Sequence, residues 1–370
     1  MLYLILIFVV SCSSLGENPS KKEQERFTDS AQFSTTTSSF QTTPPQLMKI
    51  MNERNFRWEL IKKWFSQSDN EKYPGNTIPY ASSELSLFEA SSTQDAFIWF
   101  GHSTLLLHLN QKNILFDPIF SCCASPVPFF VKRFQEPVLS LDQLPNIDFI
   151  VISHDHYDHL DMETIQYFIE KDTQFLVPLG VGSHLKSWGV PSDKITELDW
   201  WEGKHFDSVH FIATPAQHFS GRTLKSNQTL WASWTLKTTN RSIFFSGDSG
   251  YTPLFKKIGD IHGPFDTAFI ENGQYSEAWP EVHLLPEESI QVHKDLKSRH
   301  LVPIHWSMFA LSFHSWFEPA ERIFQEAIKE KVSLLIPKIG ETVLFDQIKS
   351  NNSQETWWRT QKSNKINLFK

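Results

Sequence analysis

The fold is decided by one stretch of sequence, Asp148-Phe149-Ile150-Val151-Ile152-Ser153-His154-Asp155-His156-Tyr157-Asp158-His159-Leu160-Asp161. Its first five residues form a short, branched and mostly continuous apolar run, which predicts a buried strand. The residues that follow carry three histidines and an aspartate in the pattern H-x-H-x-D-H. We expect this segment to be a loop at the end of the strand, where side chains have a rigid support and stay open to solvent.

The spacing of these four side chains predicts a metal centre. Imidazole and carboxylate groups suit zinc, and also iron or manganese. Four such groups within six residues cannot all bind one tetrahedral ion, so the pattern indicates two ions side by side. The alternative is a polar surface loop that is rich in histidine, but three imidazoles rarely lie so close together without a metal.

The composition excludes some classes of partner. The chain has 370 residues and a net charge of −8, which indicates neither a nucleic-acid interface nor a polybasic membrane patch. Its 31 Phe, 13 Trp and 7 Tyr are expected mainly in the core, and part of them could line an apolar substrate cleft.

The first twelve residues form an apolar run that ends in Val9-Val10-Ser11-Cys12 and is too short to span a bilayer. This ending resembles a bacterial lipobox, which would leave Cys12 as a lipid-modified N-terminus. No Lys or Arg precedes the run, so ordinary secretion and a misassigned start codon are the alternatives. We therefore expect a lipid-anchored protein of the bacterial cell envelope, or a cytoplasmic protein where the segment is not a signal.

Composition and periodicity divide the chain into five parts. They are a signal or lipobox-like segment (1–12), a flexible tether (13–45), a helical extension (46–85), a folded domain (86–345) and a polar tail (346–370). The tether is predicted from its Ser, Thr, Gln and Lys content. The extension should contain an amphipathic helix over 47–65, which docks on the body or rests on a membrane. Cys122 and Cys123 are expected to pack as small hydrophobes, because a disulfide between neighbours is strained.

Further apolar runs predict additional strands, and two segments that begin with proline predict helices. The expected strands are 96–100, 104–109, 113–116, 174–177, 209–213, 230–236, 241–245, 267–270 and 300–304. Helices are expected at 161–168, 286–297 and 319–329, the last two with Pro at the first turn and Glu after it. Strands dominate, so the predicted class is α/β (α+β), with sheets covered by helices.

Two ions need more than four ligands, and three other side chains follow apolar strands in the same manner. They are His218, Asp248 and His305. Glycines flank Asp248 and allow a close approach of the backbone. Together with the first cluster these residues are the expected remaining ligands.

The order of these ligands resembles the metallo-β-lactamase fold hydrolases. Other segments resemble the branch that hydrolyses N-acylphosphatidylethanolamine as a phospholipase D. They are 99–104, 116–121, 124–126, 132–134, 214–222 and 263–266, among which Ala216-Gln217-His218-Phe219-Ser220-Gly221-Arg222 is rather specific to that branch. The resemblance covers residues 97–345 and implies an αββα sandwich of two mixed sheets, with the metals at one edge.

The resemblance also implies roles for individual residues. One zinc ion would be held by His154, His156 and His218, and the second by Asp158, His159 and His305, with Asp248 bridging both. A hydroxide between the ions would be the nucleophile, with Asp158, Asp248, Asp117 and His283 counted as catalytic. Ligating imidazoles need a partner for their other N–H, and Asp117 is the first candidate. His283 and His102 match positions near the active site, and Arg222 could meet a substrate phosphate.

The predicted function is therefore a dinuclear zinc phosphodiesterase of the phospholipase D type, acting on N-acylphosphatidylethanolamine-like lipids. Segment 270–275 differs from the corresponding segment of the animal lipid enzymes. This difference puts the assignment of a lipid substrate in question and does not affect the predicted metal chemistry. The alternatives are a lactonase or a hydrolase of small phosphorylated metabolites, and a non-catalytic metal-binding surface lipoprotein. β-Lactam hydrolysis rests on the fold alone. Expected partners are a phospholipid or other small substrate, a membrane and a second copy of the chain, and no nucleic acid.

Overall fold

Two mixed β-sheets carry the fold. The computed structural model describes residues 13–45, 47–55, 72–81, 94–127, 130–348 and 355–359. The strands are β1 (Phe33–Ser34), β2 (Ser39–Phe40), β3 (Ala96–Trp99), β4 (Leu105–Leu109), β5 (Lys112–Phe116), β6 (Phe149–Val151), β7 (Gln174–Pro178), β8 (Ile195–Leu198), β9 (Gly203–Phe206), β10 (Val209–Thr214), β11 (Ser233–Lys237), β12 (Ser242–Phe245), β13 (Thr267–Glu271), β14 (His300–Ile304) and β15 (Thr342–Leu344). The helices are α1 (Lys21–Gln24), α2 (Leu47–Asn55), α3 (Met162–Tyr167), α4 (Val181–Ser187), α5 (Leu254–His262), α6 (Pro286–Asp295) and α7 (Glu318–Glu330).

Each large sheet changes from antiparallel to parallel pairing. The first has the order β15-β3-β4-β5-β6-β7-β8 and is parallel from β5 to β8. The second has the order β14-β13-β12-β11-β10-β9 and is parallel from β12 to β14. In the second sheet β10, β12 and β14 run in the same direction, so the ends that precede His218, Asp248 and His305 lie at one edge.

Aromatic side chains join the inner faces of the two sheets. Phe116 packs on Phe245 with ring centroids 4.5 Å apart, and Phe149 packs on Phe211 at 5.1 Å. The outer face of the first sheet packs against α3 and α4, for example through Ile150. This helix–sheet–sheet–helix sandwich agrees with the expected αββα fold.

The expected tether, 13–45, is a packed segment in the structure. Phe27 and Phe40 are fully buried, and their rings lie 5.4 Å apart. Arg26 forms a 2.9 Å salt bridge with Glu197. The polar composition was misleading here, because side-chain and backbone hydrogen bonds hold the segment on the body in place of a large apolar face.

The ends of the chain lie partly outside the described residues. Residues 1–12 and most of the predicted helix 47–65 fall there, and α2 covers 47–55. In the C-terminal tail, Trp357 is buried and stacks on Trp306 with ring centroids 5.4 Å apart. No helix in the described part of the chain is long and apolar enough to span a membrane.

Several elements were not predicted. Strands β8, β9 and β15 and helix α4 lack a continuous or periodic apolar run of the kind that predicted the others. Helix α5 has such a run, with Leu254, Phe255, Ile258 and Ile261 at helical spacing, and was overlooked. The sulfurs of Cys122 and Cys123 are bonded to each other as a disulfide, whereas the sequence analysis expected the two residues to pack as small hydrophobes.

Candidate metal centre

The predicted ligands come from four connections that each follow a strand. The loop after β6 carries His154, His156, Asp158 and His159, and the connections after β10, β12 and β14 carry His218, Asp248 and His305. All seven residues converge in the folded chain, since their ligand atoms fall into overlapping groups within 4.8 Å of one another. The seven side chains predicted as ligands therefore lie together at one edge of the sandwich.

Three imidazoles form the first group. His154 Nε2 lies 2.9 Å from His156 Nδ1, which lies 3.3 Å from His218 Nε2. A tetrahedral zinc ion with Zn–N distances of about 2.0–2.1 Å holds its nitrogen atoms roughly 3.3 Å apart. The separation between His156 and His218 matches this value, and that between His154 and His156 is shorter, so the three nitrogens lie close enough together for one ion.

The second group surrounds the Asp248 carboxylate. Asp248 Oδ2 lies 3.1 Å from His159 Nε2, and its Oδ1 lies 3.1 Å from His305 Nδ1. The same Oδ2 is 3.9 Å from His154 Nε2 and 3.8 Å from His218 Nε2. Asp248 therefore lies between the two groups, in a position that suits a bridging ligand.

Several buried polar atoms at this point have no hydrogen-bond partner. Among the described residues, His159 Nε2, His305 Nε2 and Asp248 Oδ1 are buried and lack such a partner. Buried polar groups are normally satisfied, so these atoms fit metal ligands. Carboxylate and imidazole donors accommodate zinc, iron or manganese alike.

Burial and nearby charges set the protonation of the ligands. Burial lowers the pKa of His154 and His218 well below the usual value and that of His156 to about 4, so all three are neutral, as metal binding requires. Burial also lowers the pKa of His159, but the surrounding carboxylates, Asp248 first, raise it well above the usual value. Burial raises the pKa of Asp248 to about 7.

Asp117 accepts hydrogen bonds that orient one histidine in each of the two groups. Its Oδ2 accepts a 2.7 Å hydrogen bond from His159 Nδ1 and a 2.6 Å hydrogen bond from the Ser153 hydroxyl. The Ser153 oxygen in turn lies 2.9 Å from His154 Nδ1. One buried carboxylate thus orients a ligand of each group, with Nε2 of both rings turned toward the metals.

His283 lines the centre, and its partner is a residue that the sequence reasoning missed. His283 Nδ1 lies 2.9 Å from Glu271 Oε2, which leaves Nε2 as the ring nitrogen available to a ligand. Glu271 is fully buried, and burial raises its pKa well above the usual value. It follows the apolar residues of β13, and this placement, the one that identified Asp248, is the signal that could have found it.

Two other candidate residues differ in outcome. His102 lies within the centre, because its Nε2 is 2.9 Å from Asp158 Oδ2. Arg222 does not face a substrate site. It is 4% exposed, and its Nη1 donates to the carbonyl oxygens of Asp155 and Leu160. The expectation that Arg222 meets a phosphate is wrong for this structure, since backbone carbonyls already hold its guanidinium.

A cavity of about 300 Å³ opens on the centre. Its lining includes the candidate ligands His156, Asp158, His218, Asp248 and His305, together with His283 and Gln274. The other lining residues are apolar: Met51, Phe219, Trp279, Val282 and Leu311. The cavity can therefore bind a molecule with an anionic or polar group at one end and an apolar group at the other.

Sequence comparison decides the family. A profile described as "Beta-lactamase superfamily domain" matches residues 112–306. The chain belongs to the metallo-β-lactamase superfamily. This member is a metal-dependent hydrolase that resembles the N-acylphosphatidylethanolamine-hydrolysing branch.

Individual relatives of this superfamily member support the same placement. It is 41% identical over 313 residues to an uncharacterized protein of Mycobacterium tuberculosis, across 82% of each chain. It is 34% identical over 269 residues to "N-acyl-phosphatidylethanolamine-hydrolyzing phospholipase D 1" of Caenorhabditis elegans, across 69% of this chain and 75% of that protein. The solved structure of Igni18, a metallo hydrolase of Ignicoccus hospitalis, has a TM-score of 0.53 at 17% identity and covers 68% of this chain and 97% of that one, which shows the fold.

Proposed function

We propose that this hydrolase has a dinuclear zinc centre and cleaves the phosphodiester of N-acylphosphatidylethanolamine-like lipids on the phospholipase D side. The products would be a phosphatidic acid and an N-acylethanolamine. The observation that carries the proposal is the lining of the cavity, in which five apolar side chains accompany the candidate metal ligands. A cleft for a small sugar phosphate would be expected to have polar walls on both sides.

The apolar wall is continuous with the ligand-bearing loop and the N-terminal helix. Phe219 follows His218 directly, and its ring lies 4.7 Å from the ring of His156. Met51 and Leu47 of α2 pack against Val282, next to Phe219. An acyl chain that lies against this wall keeps its linked phosphodiester within reach of the ligands, because both sides belong to one cavity.

When bound, two metal ions lower the pKa of a water molecule and offset the negative charge of a phosphodiester. His154, His156 and His218 would hold one ion, Asp158, His159 and His305 the other, and Asp248 would bridge them. The chain itself contributes orientation. Asp117 fixes two of the imidazoles, and Glu271 holds His283 where its Nε2 can donate a hydrogen bond to an oxygen of the substrate.

The proposal is tested by incubating purified protein, loaded with zinc, with N-acylphosphatidylethanolamine in mixed micelles. Phosphatidic acid and N-acylethanolamine are measured by mass spectrometry. Parallel reactions contain a lactone, a sugar phosphate or a short-chain phosphodiester, and a chelated sample is the control. If the short-chain phosphodiester is hydrolysed and the lipid is not, the lipid assignment is excluded and the phosphodiesterase assignment stands. Hydrolysis of only the lactone would exclude both.

The envelope location belongs to the same proposal and is supported by the apolar run 1–12 with Cys12 at its end. Metabolic labelling with a radioactive fatty acid in a bacterial host tests it. Label that is present in the wild type and lost in Cys12→Ala would support a lipid anchor. An unlabelled protein that retains residues 1–12 would contradict it.

A further inference from the structure

Arg222 is buried behind the metal-binding loop and holds both ends of its ligand-bearing part. Nη1 donates a 2.8 Å hydrogen bond to the carbonyl oxygen of Asp155 and a 2.7 Å hydrogen bond to that of Leu160. These two carbonyls flank His156, Asp158 and His159. A single guanidinium nitrogen therefore fixes the separation between the two ends of this segment.

Two further hydrogen bonds strengthen the contact between Arg222 and the loop, one donated by the loop and one donated to it. The Tyr157 hydroxyl donates to the carbonyl oxygen of Arg222 at 2.8 Å, and the guanidinium lies 4.0 Å from the Tyr157 ring centroid. The backbone N–H of Gly221 donates to Asp155 Oδ1 at 2.7 Å. Since His218 lies in the same connection, one short segment supplies a ligand and also clamps the loop that supplies four others.

The second guanidinium nitrogen binds the N-terminal segment. Nη2 of Arg222 donates a 2.7 Å hydrogen bond to the carbonyl oxygen of Ser14. Next to it, Trp188 Nε1 donates to the carbonyl oxygen of Ser13 at 2.8 Å, and the Trp188 ring lies 5.1 Å from the guanidinium. Arg222 thus contacts the metal-binding loop with one nitrogen and the N-terminal segment with the other.

Gly16 completes this docking site by lying against His184. A Cβ at Gly16 would be 2.5 Å from His184 Nδ1, and the residue has a φ of +67°. His184 Nε2 lies 3.2 Å from Asp155 Oδ2, so the contact leads back to the same loop. The backbone of the N-terminal segment fits this site only where no side chain intervenes.

We propose that Arg222 is a positioning residue through which docking of residues 13–19 and metal binding by the 154–159 loop stabilise each other. Undocking the segment removes the Ser14 acceptor from Nη2 and frees the guanidinium to leave the loop carbonyls. Metal affinity then falls, because the ligands lose their fixed spacing. Thermodynamic linkage requires the converse, so bound metal must also tighten the docking of the segment. This coupling does not depend on which substrate the enzyme hydrolyses.

The first experiment is a mutant cycle on the full chain, with zinc affinity measured by competition with a chromophoric chelator. Arg222→Met is expected to weaken binding about 10–100-fold, the usual effect of losing a group that orients metal ligands. Gly16→Ala is expected to weaken binding in the wild-type background and to have little further effect beside Arg222→Met. Asp29→Ala, which changes an exposed residue of the same segment, is the control and should bind zinc as the wild type does.

Urea unfolding of the metal-free variants separates this role from a merely structural one. If Arg222 only supports the fold, Arg222→Met lowers the free energy of unfolding and leaves zinc affinity unchanged, which overturns the proposal. Independent, additive effects of Gly16→Ala and Arg222→Met on zinc affinity also overturn it. Should Arg222→Met fail to fold, Arg222→Lys replaces it in the cycle, because it keeps the charge and loses the fork that reaches both sets of carbonyls.

The second experiment measures the converse effect by limited trypsin digestion. Lys21 and Lys22 are exposed and follow the docked residues directly. Zinc should slow cleavage there in the wild type and in Asp29→Ala, and should have little effect in the Arg222 variant. Equal cleavage of zinc-loaded and metal-free wild-type protein contradicts the coupling.

Discussion

Replacing Asp117 with Asn should reverse a chain of hydrogen bonds that ends at two metal ligands. Asp117 Oδ2 accepts from His159 Nδ1 and from the Ser153 hydroxyl, whose oxygen is paired with His154 Nδ1. An amide of the same shape would present N–H groups at that position. His159 would then accept at Nδ1 and carry its hydrogen on Nε2, the nitrogen that should bind a metal. The Ser153 hydroxyl would turn toward His154 and impose the same tautomer there.

The magnitude follows from the number of contacts. Each hydrogen bond to a charged group contributes roughly 1.5–3 kcal/mol, and Asp117 accepts two at Oδ2 and one from the Ser153 N–H at Oδ1. Asn can retain the last of these. Losing the support of one ligand commonly costs about 10–100-fold in metal affinity. Because one ligand of each group is affected, we expect Asp117→Asn to weaken binding at both sites by at least about 10-fold.

The assay is metal content after dialysis against a graded series of chelator concentrations, with urea unfolding of the metal-free protein measured in parallel. Asp161→Asn is a matched control. Asp161 is a buried carboxylate near the same loop that accepts from the Phe120 and Ser121 N–H groups and the Thr164 hydroxyl. The Asp161→Asn variant should have a lower free energy of unfolding and the same metal affinity as the wild type. Wild-type metal affinity in Asp117→Asn, or an equal loss in both variants, would refute the tautomer argument.

The cleft and the N-terminal segment lead to other expected outcomes. Met51→Glu places a charge on the apolar wall and should lower kcat/KM for the lipid by about 10-fold or more. Lys49→Glu, on the exposed side of the same helix, should leave kcat/KM unchanged. The rate of product formation from the lipid, measured with both variants, tests this. His283→Asn should lower kcat by about 10²-fold while the metal content stays unchanged. Partial burial raises the pKa of Glu23, but hydrogen bonds from Ser20 bring it down to about 2 from 4.5. Docking of the segment should therefore be complete above pH 4.5 and weaken as the pH falls toward 2, which hydrogen exchange corrected for its intrinsic pH dependence will show.

The positions of the ligands could be predicted because each one follows an apolar strand. Buried strands are visible in a sequence as short branched runs, and strands that run in the same direction bring their ends to one edge of the sheet. His218, Asp248 and His305 were found by this rule. Glu271 obeys the same rule as the last residue of β13, directly after the apolar residues Ala268, Phe269 and Ile270, and the sequence analysis did not single it out.

The N-terminal segment could not be predicted in the same way. Composition reports the apolar area that a segment can bury, and residues 13–45 offer little beyond Phe27 and Phe40. The contacts that dock it are hydrogen bonds to specific partners far away in the sequence, such as Arg222 and Trp188. A sequence pattern does not show which distant residues form such pairs. A polar segment that docks on the body therefore has the same composition as a flexible tether.

The connection after β10 links metal binding to one wall of the cleft. His218 is a candidate ligand, Phe219 is one of the apolar residues that line the cleft, and Arg222 holds the loop that carries four further candidate ligands. A substitution at Phe219 that reshapes the wall therefore also moves residues on which the metals depend. Met51 lies on the same wall but belongs to α2, where it packs against Val282 and the aromatic side chains beside it. A substitution in α2 can consequently change substrate preference without altering the metal chemistry. This more adaptable part of the cleft lies outside residues 112–306, the region that matches the superfamily profile.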